Sequence, residues 1–117
     1  TGIGKALILD ETESRWRDMF DFEEHGSKSS VADLNSWLRR MRDYAKRGYA
    51  FDLEENEDRI RCVAAPIRDV SGAIVASISV ASAAQYMDDA RMLTLADEVR
   101  RTADAISRDL GWREKRR

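Results

Sequence analysis

Cys62 is the only cysteine of the chain and His25 the only histidine. A thiol becomes a nucleophile when a base and positive surroundings lower its pKa. His25 lies in the polar stretch DFEEHGSKSS, however, while Cys62 sits in the apolar run RIRCVAAPI. A strand cysteine among Ile60, Val63 and Ala64 reads first as a small core hydrophobe. One Cys and one His also make no zinc site without unusual help from carboxylates.

The opening TGIGKALIL offers a second chemistry, since Gly-rich turns entering a helix present N–H groups to anions. The full phosphate loop needs a Gly five residues before Gly4 and a Ser or Thr after Lys5, where Ala6 stands, so nucleotide binding is set aside. What remains is a helix start able to hold a carboxylate, or simply a close-packed turn. Asp52 alternates with Tyr49, Phe51 and Leu53, so it either faces solvent or lines a polar pocket, and local pattern favours solvent. Ser77 and Ser79 share one strand face and suit a polar ligand or an exposed surface, exposure being the reading that pattern alone favours.

These residues depend on a small set of elements. TGIGKALIL and DETESRWRDMF, with Thr12 as a cap, predict two short helices. DFEEHGSKSS predicts a loop. Val31, Leu34, Leu38, Met41 and Ala45 recur at helical spacing, with Ser30 to cap, Asp33 in the first turn and Gly48 to close. Tyr49 to Leu53 alternate as a strand with Asp52 turned away from the aromatic side, and EENED is its turn. RIRCVAAPI and AIVASISVA form a hairpin across Asp69-Val70-Ser71-Gly72, a type I turn, with pairing incomplete at Pro66. Met92, Leu95, Ala96, Val99, Ala103, Ile106 and Leu110 trace one face of a helix from near Asp88 to Gly111. The order predicts an α+β fold, an antiparallel sheet covered by helices on one face.

The hairpin decides which side chains meet. A two-residue turn sets Cys62 opposite Ser79; a bulge at Gly72 sets it opposite Val80 and sends the serines to the other face. The two differ by one residue, and turn chemistry leaves both open.

Composition narrows the classes. The 117 residues are 43% apolar and 36% charged, as in a soluble single-domain protein. The 20 basic and 22 acidic residues are interspersed, with a net charge of −2, which argues against a dedicated nucleic-acid surface. No run is long and apolar enough for a membrane span, and a single cysteine without a leader fits the cytoplasm. The sequence starts without Met inside a patterned segment and reads as a fragment of something longer.

The string GYAFDLEENEDRIRCVAAPIRDVSGAIVASISV resembles the signature stretch of the effector-binding domain of IclR-type transcriptional regulators, the isocitrate lyase regulator family. The opening TGIGKALIL and the terminal helix ending in LGW are similar as well. The resemblance implies a GAF-like antiparallel sheet flanked by helices, residues 1–117 being one partial effector domain with its first strands and the winged helix-turn-helix domain missing. It implies a small organic or sugar acid as effector, held by Gly2, Ile3, Asp52, Cys62 and Ser79, with no cofactor and no catalysis. Gly2 and Ile3 supply N–H groups to a carboxylate, Ser79 donates to it, Asp52 accepts from a hydroxyl, and Cys62 is a pocket wall. The register with Cys62 across from Ser79 is the one it favours. Ala81 stands where the family often has a second Ser, which disfavours glyoxylate, and Ile3 stands where a small residue is common, which reshapes or narrows the pocket. The family's ligands, mainly small organic acids, aromatic acids and sugar-acid derivatives, imply a hydroxylated carboxylic acid. The implied partners are operator DNA, reached through the missing domain, and further copies in a homodimer or homotetramer. Two rivals are a cysteine-dependent enzyme on the same scaffold and a self-association module without a ligand.

Overall fold

The computed structural model describes residues 1–23, 31–53 and 59–114. In chain order these form α1 (Gly2–Leu7), α2 (Glu13–Glu23), α3 (Val31–Arg47), β1 (Ala50–Leu53), β2 (Ile60–Arg68), β3 (Ile74–Ala83), a 3₁₀ turn (Ala84–Tyr86) and α4 (Asp89–Asp109). The three strands make one antiparallel sheet in the order β1-β2-β3, which is the α+β class expected.

Helix ends follow local chemistry. Thr12 Oγ1 accepts the Arg15 N–H at 3.2 Å, and Asp88 accepts the Arg91 N–H at 2.8 Å, each relieving an orphan donor of a first turn. Gly111, at φ +96°, ends α4. Its N–H reaches the Arg108 carbonyl and that of Trp112 the Ser107 carbonyl, both at 3.0 Å, which is a Schellman closure. The expected loop starts later than Asp21, because α2 continues through Glu23; no Gly or Pro interrupts the chain before Gly26. Ser30, His25 and the turn 54–58 lie outside the described residues.

Helices cover both faces of the sheet, correcting the single-face expectation. Val63, Ala65 and Ile67 of β2 pack with Met92, Leu95, Ala96, Val99 and Ala103 of α4. On the other face α1 lies over β2 and β3, and Leu9, Trp16, Leu38, Met41, Tyr44 and Ala50 form a second core. The cause is visible in β2, whose run from Val63 to Ile67 is buried at every position, as a central strand covered on both sides must be. Pro66 is buried in that strand opposite Ser77. It has no partner on the β1 side, where the ladder ends at Ala50 and Ala64.

The hairpin register matches neither sequence alternative. Cys62 stands opposite Ala81, and Ser79 opposite Ala64. Two one-residue insertions produce this. Gly72 donates to the Asp69 carbonyl at 3.0 Å with φ +87°, and Asp69 N–H then bonds Ala73 rather than Gly72, at 3.1 Å. A second shift between Ile67 and Arg68 sets Arg68 opposite Ile74 and Ile67 opposite Ala76, leaving Val75 extra on β3. The first insertion alone sends the serines to the α4 face; the second returns Ser77 and Ser79 to the face that carries Cys62.

At this second bulge the Arg68 N–H bonds the Ser107 hydroxyl at 2.8 Å, and that hydroxyl donates to the Ala103 carbonyl, also at 2.8 Å. Ser107 is only 1% exposed, so no water replaces it freely. Replacing Ser107 with Ala strands the Arg68 N–H, and the expected loss is about 1–3 kcal/mol in urea unfolding. An unchanged midpoint would show that the bulge finds another acceptor.

Candidate functional site

The spacing of α1 fixes how it meets the sheet. Gly2, Lys5 and Ala6, three and four residues apart, are buried, whereas Ile3 and Leu7 are each 43% exposed. Gly2 sits directly over β2. A Cβ built there would collide with Cys62 Sγ and lie 3.6 Å from Ala64 Cβ and 3.8 Å from Asp52 Cβ. Thr1 caps the helix by accepting the Gly4 N–H at 2.9 Å.

Polar contacts hold α1 at its neighbours. Lys5 Nζ donates to the Phe51 carbonyl of β1 at 2.9 Å and lies 5.7 Å from the centre of the Tyr44 ring. Ser77 Oγ of β3 donates to the Ile3 carbonyl at 3.2 Å. Beyond the helix, Trp16 Nε1 donates to the Ile8 carbonyl at 2.8 Å, and Arg68 forms a two-pronged ion pair with Asp10. The serine pair therefore divides: Ser77 anchors the helix backbone, and neither serine is fully exposed.

Across the sheet Asp52, Cys62 and Ala81 form one row, and Ala50, Ala64 and Ser79 the next. Asp52 is 6% exposed, which overturns the solvent reading. Its alternation with Phe51 is as expected, but the face it takes lies beneath α1. Gly2, Ile3, Asp52, Cys62 and Ser79 all line a single concavity of about 360 Å³, and Thr1, Ile60 and Ala81 complete it. The opening thus has a polar side, from Asp52, Ser79 and the start of α1, and an apolar side, from Ile3, Ile60 and Ala81.

The Cys62 thiol is pushed above its ordinary pKa, first by burial and then by the neighbouring Asp52 carboxylate. Backbone hydrogen bonds from Gly2 and Asp52 and the Lys5 charge oppose this only in part. The sulfur therefore stays protonated, the reverse of what a nucleophile requires. The Gly2 N–H is directed at that sulfur, while Ile3 lines the opening.

Lys5 is the residue that the motif analysis passes over. The residue is 6% exposed, its ammonium is hydrogen-bonded, and it tethers the strand residue adjacent to Asp52. The signal is present in GIGKA, because Lys5 falls three residues after Gly2 and so on the same helix face. Among the described residues no three His, Cys, Asp or Glu side chains are grouped to hold a metal ion, and no helix is long and apolar enough to cross a membrane.

The described residues thus form an α+β domain with a concavity under a short helix and the Cys62 thiol in its wall. Residues 1–108 match the family described as bacterial transcriptional regulator IclR C-terminal, and the chain belongs to that family. It is 27% identical over 114 residues to the HTH-type transcriptional regulator XynR of Escherichia coli, covering 96% of this chain and 45% of that protein. With the HTH-type transcriptional regulator BhcR of Paracoccus denitrificans the identity is 33% over 109 residues, 92% of this chain and 39% of that one. The chain thus spans less than half the length of these relatives. Among solved structures it superposes on the Agobacterium tumefaciens repressor BlcR with a TM-score of 0.79 at 28% identity, over 96% of this chain and 46% of that one. The Thermotoga maritima IclR gives 0.76 at 31%, with the same coverage. These relatives are named as regulators and repressors rather than enzymes, and the enzyme reading of Cys62 is set aside.

Two outcomes follow from the geometry. Gly2→Ala drives its methyl into Cys62 Sγ and should destabilise the protein by about 1–3 kcal/mol; adding Cys62→Ala removes the sulfur and should recover most of that loss in a double-mutant cycle. Additive losses would show that the helix simply shifts. Because the folded pKa is raised, alkylation of Cys62 should reach half its maximal rate at a higher pH in the native protein than in urea, where the thiol returns to its ordinary value. A native midpoint below the unfolded one would contradict the protonated-wall assignment.

Proposed function

We propose that this domain is the effector sensor of an IclR-type regulator and that its ligand is a small hydroxylated carboxylic acid. The observation that carries the reading is convergence: Gly2, Ile3, Asp52, Cys62 and Ser79, drawn from α1 and all three strands, line one opening of about 360 Å³. That volume lies within the range of small-molecule sites. The Ile3 N–H and the Ser79 hydroxyl donate to the ligand carboxylate, and the buried Asp52 accepts from a hydroxyl. Ala81, where a second donor could stand, adds only a methyl, so the ligand carries an apolar portion towards Ile3, Ile60 and Ala81.

In this reading the rest of such a regulator contacts operator DNA through a helix-turn-helix, as the HTH-type designation of the relatives supports, and copies of the protein pair so that effector binding changes the fit to an operator. The setting is the cytoplasm. A coupling of about 1–3 kcal/mol between effector and operator is typical of such systems.

A thermal-shift and calorimetric screen of hydroxy acids, keto acids and sugar acids tests the assignment. At roughly 100 times its Kd a true ligand should stabilise the fold by about 2.7 kcal/mol, and Asp52→Ala should abolish the response. A ligand that binds Asp52→Ala undiminished would sink the role given to this carboxylate. Absence of any response across the panel would favour the self-association module.

A further inference from the structure

A second opening lies against the opposite side of β1. It measures about 490 Å³, and its lining includes Arg39, Arg40 and Arg47 of α3, Tyr49 and Phe51 at β1, and Leu93 of α4. It shares no lining residue with the opening under α1.

Its two walls differ in kind. Arg47 Nε bonds Asp43 Oδ1 at 3.0 Å, and its Nη1 reaches the Tyr49 hydroxyl at 3.4 Å, so this guanidinium is held in place and the one carboxylate of the lining is neutralised. Arg39 and Arg40 are exposed and make no ion pair with a described residue. The lining is thus net positive on a chain whose formal charge is −2. In the same lining the Tyr49 and Phe51 rings lie 5.2 Å apart at 35°, Tyr44 meets Phe51 edge-on at 6.1 Å, and Leu93 is 54% exposed.

We propose that this cleft is a second ligand site, which takes a small amphiphilic anion: one carboxylate on an apolar body. Guanidinium groups bind carboxylate in two-pronged fashion and are weakly hydrated, so they exchange water for an anion more readily than ammonium groups do. The ring wall and Leu93 cover the apolar body. An inorganic anion leaves that wall unused, and a neutral apolar molecule leaves the arginines unused. The site does not depend on what the opening under α1 binds.

The test is an NMR titration of the 117-residue protein with 2-naphthoate and octanoate, against 2-naphthalenemethanol and inorganic phosphate as controls. At least one acid should perturb Tyr49, Phe51 and Leu93 saturably, and both controls should bind at least about tenfold more weakly. Naphthoate without octanoate marks a flat body, and the reverse an extended acyl chain. Arg39→Gln with Arg40→Gln, both at exposed positions, should weaken the acid at least about tenfold, while Asp52→Ala leaves it unchanged. Equal binding of the neutral alcohol, indifference to the double substitution, sensitivity to Asp52→Ala, or no saturable response to either acid would each overturn the site.

Discussion

The close seating of α1 on the sheet is the constraint on which the candidate site rests. A helix of six residues has almost no stability alone, since nucleation alone outweighs the few bonds it makes. Its position is therefore set from outside, by the Phe51 carbonyl on Lys5, by Ser77 on the Ile3 carbonyl and by the Trp16 indole on the Ile8 carbonyl. Gly2 permits the approach because nothing but hydrogen fits above Cys62, and Ala64 beside it keeps the floor low. With the helix this close, its first turn and the Asp52, Cys62, Ala81 row form the walls of one opening. A larger residue at either Gly2 or Ala64 separates those walls.

Burial of charge beneath α1 follows from the same packing. Lys5 and Asp52 are each 6% exposed, and charges so placed persist only with hydrogen-bonding partners. Lys5 has the Phe51 carbonyl and the Tyr44 ring, and its charge also reaches Cys62. The thiol nonetheless rises in pKa, because desolvation and the Asp52 carboxylate outweigh the cation and the two backbone bonds. The sole cysteine of the chain is thus kept neutral by the residue set that makes the opening polar. Its small volume, and not its reactivity, is what the position uses.

Much of this is legible in sequence where the cause is local. Thr12, Asp88, Gly48 and Gly111 mark helix ends because caps and left-handed glycines act within one turn. The alternation of Phe51 and Asp52 is legible too, but the face that Asp52 takes is not, because solvent and a pocket below another helix leave the same period of two. The hairpin fails for a different reason. Either bulge alone changes the face of every residue beyond it, and only the first, at Gly72, has a turn signature; the second, at Val75, is signalled by no Gly or Pro and is sustained by the distant Ser107 hydroxyl. The family motif leads to the right face for Cys62 and Ser79 and to a pairing two residues out, since two insertions cancel in parity but not in position. The single-face expectation failed although the unbroken apolar run from Val63 to Ile67 carried the signal, since such a run leaves no polar side for solvent.

β1 shows how four residues serve two surfaces. Because successive side chains point to opposite faces, Phe51 floors the arginine cleft while Asp52 lines the opening under α1, and the Phe51 carbonyl between them receives Lys5. Among the described residues β1 pairs with β2 alone, and the Lys5 bond to the Phe51 carbonyl ties it to α1 as well. By contrast β2 is fixed by the apolar packing of α4 along Val63, Ala65 and Ile67. β1 therefore borders both openings, whereas α1 borders only the first and Leu93 of α4 only the second. A displacement of β1 small enough to keep its β2 ladder still alters the Lys5 contact and the separation of Gly2 from Asp52.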